Sequence, residues 1–226
     1  KIVLDSQVCK LDIGACFNGC LGDNAVTVDL SRNYSDLVAA SEKALAAAIR
    51  IVKAGVALGE VGRVIQEAIA SYGFSPIRNL SGHGLGKFEI HTKPTVPNFD
   101  NGDKTVLHEN EVIAIEPFAT TGKGKIYESS NAGVFMQTSE KQTRELAVRK
   151  VLEQIRSYEK LPFAKRWLHK EFPAFKVSIA LKVLEQQGII QSFPPLIEEA
   201  KGIVRQAEKT VLVKADGCEV LTQASD

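Results

Sequence analysis

Between two runs of alternating residues, 8–17 and 20–28, stands the dipeptide Asn18-Gly19. A two-residue hairpin loop needs positive φ at both of its positions, and asparagine followed by glycine supplies them at least steric cost. If these two residues are the whole loop, Phe17 faces Cys20, Gly14 faces Asp23 and Asp12 faces Ala25. Period-two alternation then sends Asp12, Gly14, Asp23 and Ala25 to one face. Asp12 and Asp23 are diagonal neighbours there, roughly 7 Å apart at the backbone, a gap that two side chains can close. Carboxylates about 4 Å apart repel by roughly 4 kcal/mol at an effective dielectric near 20. Such a pair calls for a cation unless it lies on the solvated side of a half-buried hairpin. Leu11, Ile13, Ala25 and Val26 are its sequence neighbours and weigh toward the cation.

Downstream, an alanine-rich segment (Leu37, Val38, Ala44, Leu45, Ala48, Ile49, Val52) keeps helical spacing over about 36–54, with Ser35 placed to cap it. A second helix is predicted over 61–70, where Val61, Val64, Ile65, Ala68 and Ile69 form an apolar stripe that should lie on a sheet. Residues 81–86 read as a glycine-rich loop, followed by 88–91, a proline-containing stretch to Asn98, and a strand over 111–116 that stops at Pro117. Gly82, Gly84 and Gly86 lack the spacing of a dinucleotide fingerprint, and the reading is that they let backbone approach closely. Three amphipathic segments follow, near 145–158, 163–170 and 177–187, then a strand over 203–213 with a partner near 219–222. This order makes the fold class α+β, with 1–137 and 202–226 as one domain and 138–201 as an inserted helical subdomain.

Bulk properties narrow the function. With 226 residues, 44% of them hydrophobic, the chain can bury a sizeable core. Its 28 basic and 27 acidic residues leave a net charge of +1, so no chain-wide pull toward nucleic acid or anionic membrane is expected. The insert is locally basic (Lys165, Arg166, His169, Lys170, Lys176, Lys182) and winged-helix-like in its three helices and short wing, which alone does not argue for nucleic acid. No apolar run is long enough to span a bilayer and no signal peptide is visible, so the expected location is the cytoplasm, without a membrane partner. Of the four cysteines, Cys9, Cys16 and Cys20 crowd one segment, which reads as reduced thiols. His108 and His169 are given no chemistry. The chain opens on Lys1 and enters a strand-like pattern at once, and is read as a fragment or a processed chain.

Four separated motifs then meet one family. Lys10-Leu11-Asp12-Ile13-Gly14 with Gly22-Asp23-Asn24-Ala25-Val26-Thr27-Val28 resembles the first metal-ligand hairpin of the methionine aminopeptidases. Asn79-Leu80-Ser81-Gly82-His83-Gly84-Leu85-Gly86 with Ile90-His91 resembles their ligand-histidine segment, Ala114-Ile115-Glu116-Pro117-Phe118 the next ligand strand, and Gln206-Ala207-Glu208 the last. Leu161-Pro162-Phe163-Ala164-Lys165-Arg166-Trp167-Leu168 and residues 179–188 look like the insertion of type II enzymes, archaeal ones in particular.

The resemblance implies a pita-bread fold with metal ligands at Asp12, Asp23, His83, Glu116 and Glu208. It also implies two divalent ions (Co, Mn, Fe or Zn) bridged by a hydroxide. Catalytic roles fall on Glu116, which exchanges a proton, and on His91, which hydrogen-bonds the substrate near the scissile bond. The implied activity is release of N-terminal methionine from nascent chains, with the ribosome as a further partner. Related readings are a prolidase-like Xaa-Pro peptidase and a noncatalytic pita-bread binding protein or inactive fragment. Cys16 and Lys209 stand where the family usually has histidines, and the family's other active-site histidine precedes the first hairpin. A missing N-terminal portion, on a longer precursor or a second polypeptide, is therefore expected.

Overall fold

A computed structural model describes residues 3–223. The chain forms two compact units, one running to Tyr127 and resuming at Glu198, the other Glu128–Ile197. The second unit begins ahead of the 138 read from the sequence, because the strand Val134–Gln137 belongs to its sheet.

In the first unit, β1 (Val8–Phe17) and β2 (Cys20–Asp29) form the hairpin in the predicted register, Asp12 opposite Ala25 and Gly14 opposite Asp23. Asn18 and Gly19 both have positive φ, 51° and 87°. The turn is anchored, since Phe88 N donates to Gly19 O at 3.0 Å. Asp29 then gathers the next turn: its carboxylate accepts from the backbone N–H groups of Ser31, Arg32 and Tyr34. The chain enters α1 (Ser35–Ile51) there, so Ser35 is the first helical residue rather than the cap, and the helix ends before the predicted 54. Helix α2 (Leu58–Ala70) starts three residues earlier than its apolar stripe suggests, with Leu58 N and Gly59 N donating to Thr105 O and Asp103 O. Ala40, Ala44 and Ala48 let α1 lie close to the sheet, and Leu37, Val61, Ile65 and Ile69 fill the layer against Ile113, Ile115, Val211 and Val213.

The following strands are β3 (Ser75–Pro76), β4 (Ser81–Gly86), β5 (Glu89–Pro97), β6 (Val112–Ile115) and β7 (Phe118–Thr120). Residues 81–86 are thus a strand, not the predicted loop. Their glycines serve close approach, as expected: a Cβ on Gly82 would meet Ala114 O at 2.2 Å, and one on Gly84 would meet Lys93 O at 2.1 Å. Strand β5 tolerates its prolines because it is the outermost strand on that side. After β8 (Ile126–Glu128) come β9 (Val134–Gln137), α3 (Leu146–Arg156), β10 (Phe163–Ala164), α4 (Lys165–Leu168), α5 (Ala174–Gln186), β11 (Ile190–Phe193) and β12 (Leu196–Glu198). The second unit is built from α3, α4 and α5 with the sheet β10-β9-β11, around Val151, Leu152, Ile155, Phe163, Leu181 and Leu184.

The predicted strand over 203–213 is two strands, β13 (Val204–Gln206) and β14 (Glu208–Val213), which break at Ala207. Strand β13 joins β7 and β3, while β14 enters the main sheet, of order β1-β2-β14-β6-β4-β5, with β15 (Cys218–Val220) on β14. Leu11, Ile13 and Val26 point away from the two aspartates and are 57%, 53% and 44% exposed, so they do not enclose the pair as the sequence suggested.

Candidate metal centre

Strand register collects the acidic residues in the middle of the main sheet. Asp12 on β1, Ala25 on β2 and Glu208 on β14 form one row across three strands. The neighbouring strands place Thr210 opposite Ala114, and Ala114 opposite His83. Glu116 follows directly on β6, where Pro117 ends the ladder. Asp23, His83 and Glu208 each offer one ligand atom, all within 4.8 Å of one another. His83 Nε2 is 3.7 Å from both Asp23 Oδ2 and Glu116 Oε1. Asp12, on the outermost strand, and His91 are the exposed members, and His91 packs edge-on against His83 with ring centroids 4.5 Å apart. All six residues named from the sequence therefore meet on one face.

The electrostatics are those of an acid cluster only partly compensated, by His83 beside Asp23 and by the Lys10 ammonium near Asp12 and Glu116. Burial first, and then Asp23 and Asp12, push Glu208 up to about 9. Burial, followed by Glu208, Asp12 and Asp23, raises Glu116 well above the usual carboxylate range. Asp23 is raised by burial and by Asp12, with His83 opposing. Burial and the adjacent His83 hold His91 at about 4, so its ring is neutral at neutral pH.

A divalent cation fits these residues. Contacts of 3.7 Å are too long for hydrogen bonds. They match the roughly 3–4 Å that separates two donors on one ion with bonds near 2.1 Å. Glu208 Oε2 is buried and has no hydrogen-bond partner. His83 Nδ1 lies 3.1 Å from Gly84 O, and since a carbonyl only accepts, this nitrogen carries the hydrogen and leaves Nε2 as the donor atom facing the carboxylates. Carboxylates with one imidazole suit borderline and hard divalent ions rather than a thiolate-bound structural zinc.

Three supporting residues escaped the sequence reading. Gln206 Nε2 donates to Asp12 Oδ2 at 3.1 Å and to Glu116 Oε2 at 3.2 Å, tying two acids on different strands. Gln206 is itself clamped by Thr27, whose hydroxyl donates to Gln206 O at 2.6 Å and accepts from Gln206 N at 3.2 Å. Thr210 repeats the device, its Oγ1 accepting from Asp23 N and donating to Asp23 O, both at 2.8 Å. A signal existed for Gln206: it stands two residues before Glu208. No pattern marks the threonines. Gln206→Ala should lower activity or metal affinity about 10–100-fold, the usual effect of losing an outer partner of a metal ligand. Titration with Mn²⁺ alongside steady-state kinetics would test this; unchanged values would remove Gln206 from the site.

Residues 2–160 match metallopeptidase family M24. The chain is 40% identical over 223 residues to a methionine aminopeptidase of Thermococcus onnurineus, covering 98% of this chain and 76% of that one. Among solved structures, a methionine aminopeptidase of Thermotoga maritima aligns with 99% of this chain and 67% of its own, at a TM-score of 0.66 and 23% identity. The structure of a thermophilic Arx1 aligns with 98% of this chain and 68% of its own, at a TM-score of 0.83 and 15% identity.

Proposed function

The chain belongs to metallopeptidase family M24 and, within it, to the methionine aminopeptidases, and on that premise we propose that it removes N-terminal methionine from polypeptides in a metal-dependent hydrolysis. The observation that carries this reading is the convergence of Asp23, His83 and Glu208, from three separate strands, with donor atoms within 4.8 Å.

In this reading Asp12, Asp23, His83, Glu116 and Glu208 hold two divalent ions, of Co, Mn, Fe or Zn. Four carboxylates balance the charge of two such ions. When bound, the ions supply an activated water and polarise the scissile carbonyl. The chain's own residues do the rest. Gln206 keeps Asp12 and Glu116 in place through its side-chain amide. Glu116, buried among carboxylates, is the group that exchanges a proton with the attacking water. His91 stays neutral at working pH and donates an N–H to the substrate carbonyl without bringing a competing cation to the metals.

The helical segment within Glu128–Ile197 is what favours the type II class. Nascent chains and the cytoplasm follow from such a substrate; among the described residues no helix is long and apolar enough to cross a membrane. The test is hydrolysis of Met-Ala-Ser beside an Xaa-Pro dipeptide, with and without chelator. Release of methionine that EDTA abolishes and Mn²⁺ restores is expected. Cleavage of Xaa-Pro in preference to Met-Ala-Ser would overturn the assignment.

A further inference from the structure

Asp23 sits where β14 changes neighbours. The ladder between β2 and β14 covers Glu208 with Ala25 and Lys209 with Asn24 and stops there, while β15 takes over the same edge of β14 at Val211 with Val220. Thr210 is the residue left between them. A buried backbone N–H and carbonyl that lack partners each cost about as much as a lost hydrogen bond. At Asp23 one hydroxyl serves both, since Thr210 Oγ1 accepts from Asp23 N and donates to Asp23 O, each at 2.8 Å. A hydroxyl has a single hydrogen, so giving it to the carbonyl fixes the Thr210 rotor. The Asp23 backbone is thereby held, and with it the carboxylate whose Oδ2 lies 3.7 Å from His83 Nε2.

Thr210 is in turn held from outside the acid cluster. Residues 221 and 222, just past β15, lie against β14: Leu221 N donates to Thr210 O at 2.9 Å, and Thr210 N donates to Thr222 Oγ1 at 3.0 Å. Lys209 fastens this segment, its Nζ donating to Thr222 O at 2.8 Å. The lysine that stands in place of the family's usual histidine thus spends its ammonium on a tether. The Thr222 methyl lies over Gly22, the residue before Asp23, where a Cβ would come within 3.3 Å of it. Residues 221 and 222 therefore touch both strands at the junction that holds Asp23. Gln206 bonds to Asp12 and Glu116, and Asp23 has this separate support.

We propose that Thr222, acting through Thr210, is a positioning residue that sets the metal affinity of the centre by fixing Asp23, with Lys209 as the tether of its segment. This rests on the reading of Asp23 as a metal ligand and is independent of which peptide is cleaved. An outer partner of this kind holds a ligand in its binding orientation before an ion arrives.

Calorimetric titration of the full chain with Mn²⁺ tests the relay. Thr210→Val, which removes the hydroxyl and keeps the branched shape, should weaken binding about 10–100-fold. Thr222→Val should weaken it about 2–10-fold, the effect of one hydrogen bond. Thr210→Ser and Thr222→Ser, which keep the hydroxyl, should bind as the parent does. Melting curves should show the variants folded at the titration temperature, so that the change belongs to the folded protein. A purely structural role would lower the melting temperature and leave that affinity unchanged, which would overturn the proposal. Thr222 is only half-buried, whereas Thr210 is fully buried, so Thr222→Val decides the matter even if Thr210→Val does not fold. Parent affinity in Thr222→Val would overturn the proposal alone; no uptake of Mn²⁺ by the parent would overturn the metal reading and the proposal with it.

Discussion

Glu208→Gln should reduce methionine release by more than about 100-fold, beyond the range seen on losing an outer-shell partner, while leaving the chain folded. Glutamine keeps the volume of the side chain and gives up its charge, so no cavity opens at a position that is 2% exposed. What disappears is an anionic donor at the point where β2, β14 and β6 meet. Asp23 and His83 alone cannot neutralise a divalent ion, so metal affinity should fall with activity. Calorimetric titration with Mn²⁺, run beside the peptide assay, would show the two losses together. A variant that bound metal normally yet lacked activity would limit Glu208 to a catalytic role, and full activity would remove it from the site.

The second large effect concerns pH in the metal-free protein. Glu208 has its folded-state pKa raised to about 9 from an ordinary value of 4.5, and Glu116 and Asp23 move in the same direction. A carboxyl with a raised folded pKa binds more protons folded than unfolded at pH values between the two pKa values. Its contribution to stability is therefore lost as pH rises from about 4.5 toward about 9. The slope for one proton is at most about 1.4 kcal/mol per pH unit. Urea unfolding in EDTA should accordingly show declining stability across that window. Glu208→Gln should flatten the decline, matching the parent at about pH 4, below that window, and exceeding it at about pH 9. Metal uptake at neutral pH should release protons, because the ligands must ionise to bind. Flat stability in the metal-free parent would show that these carboxyls are not burdened by burial and mutual repulsion.

The hairpin was legible because its information is local. Two residues with positive φ set the loop, the loop sets the register, and the register puts Asp12 and Asp23 on one face. The four motifs likewise located the residues that meet there, although nothing in their spacing reveals that β14 lies between β2 and β6. That strand order depends on contacts across nearly two hundred residues of chain, such as Thr210 with Asp23. Residues 81–86 misled because glycine clusters usually mark turns. The missing side chains admit the carbonyls of Ala114 and Lys93, the close backbone approach expected of these glycines, but within a strand rather than a loop. Leu11, Ile13 and Val26 misled for a simpler reason: neighbours in sequence lie on opposite faces of a strand. Gln206 was readable by the same alternation but lacks the charge that draws attention to a ligand.

The acid cluster is proposed to hold divalent metal. Anomalous diffraction from crystals soaked in Mn²⁺ tests this most directly. Two peaks should appear among Asp12, Asp23, His83, Glu116 and Glu208, at bond lengths near ~2.0–2.2 Å. Peaks confined to other residues, in crystals whose dissolved protein still releases methionine, would contradict it.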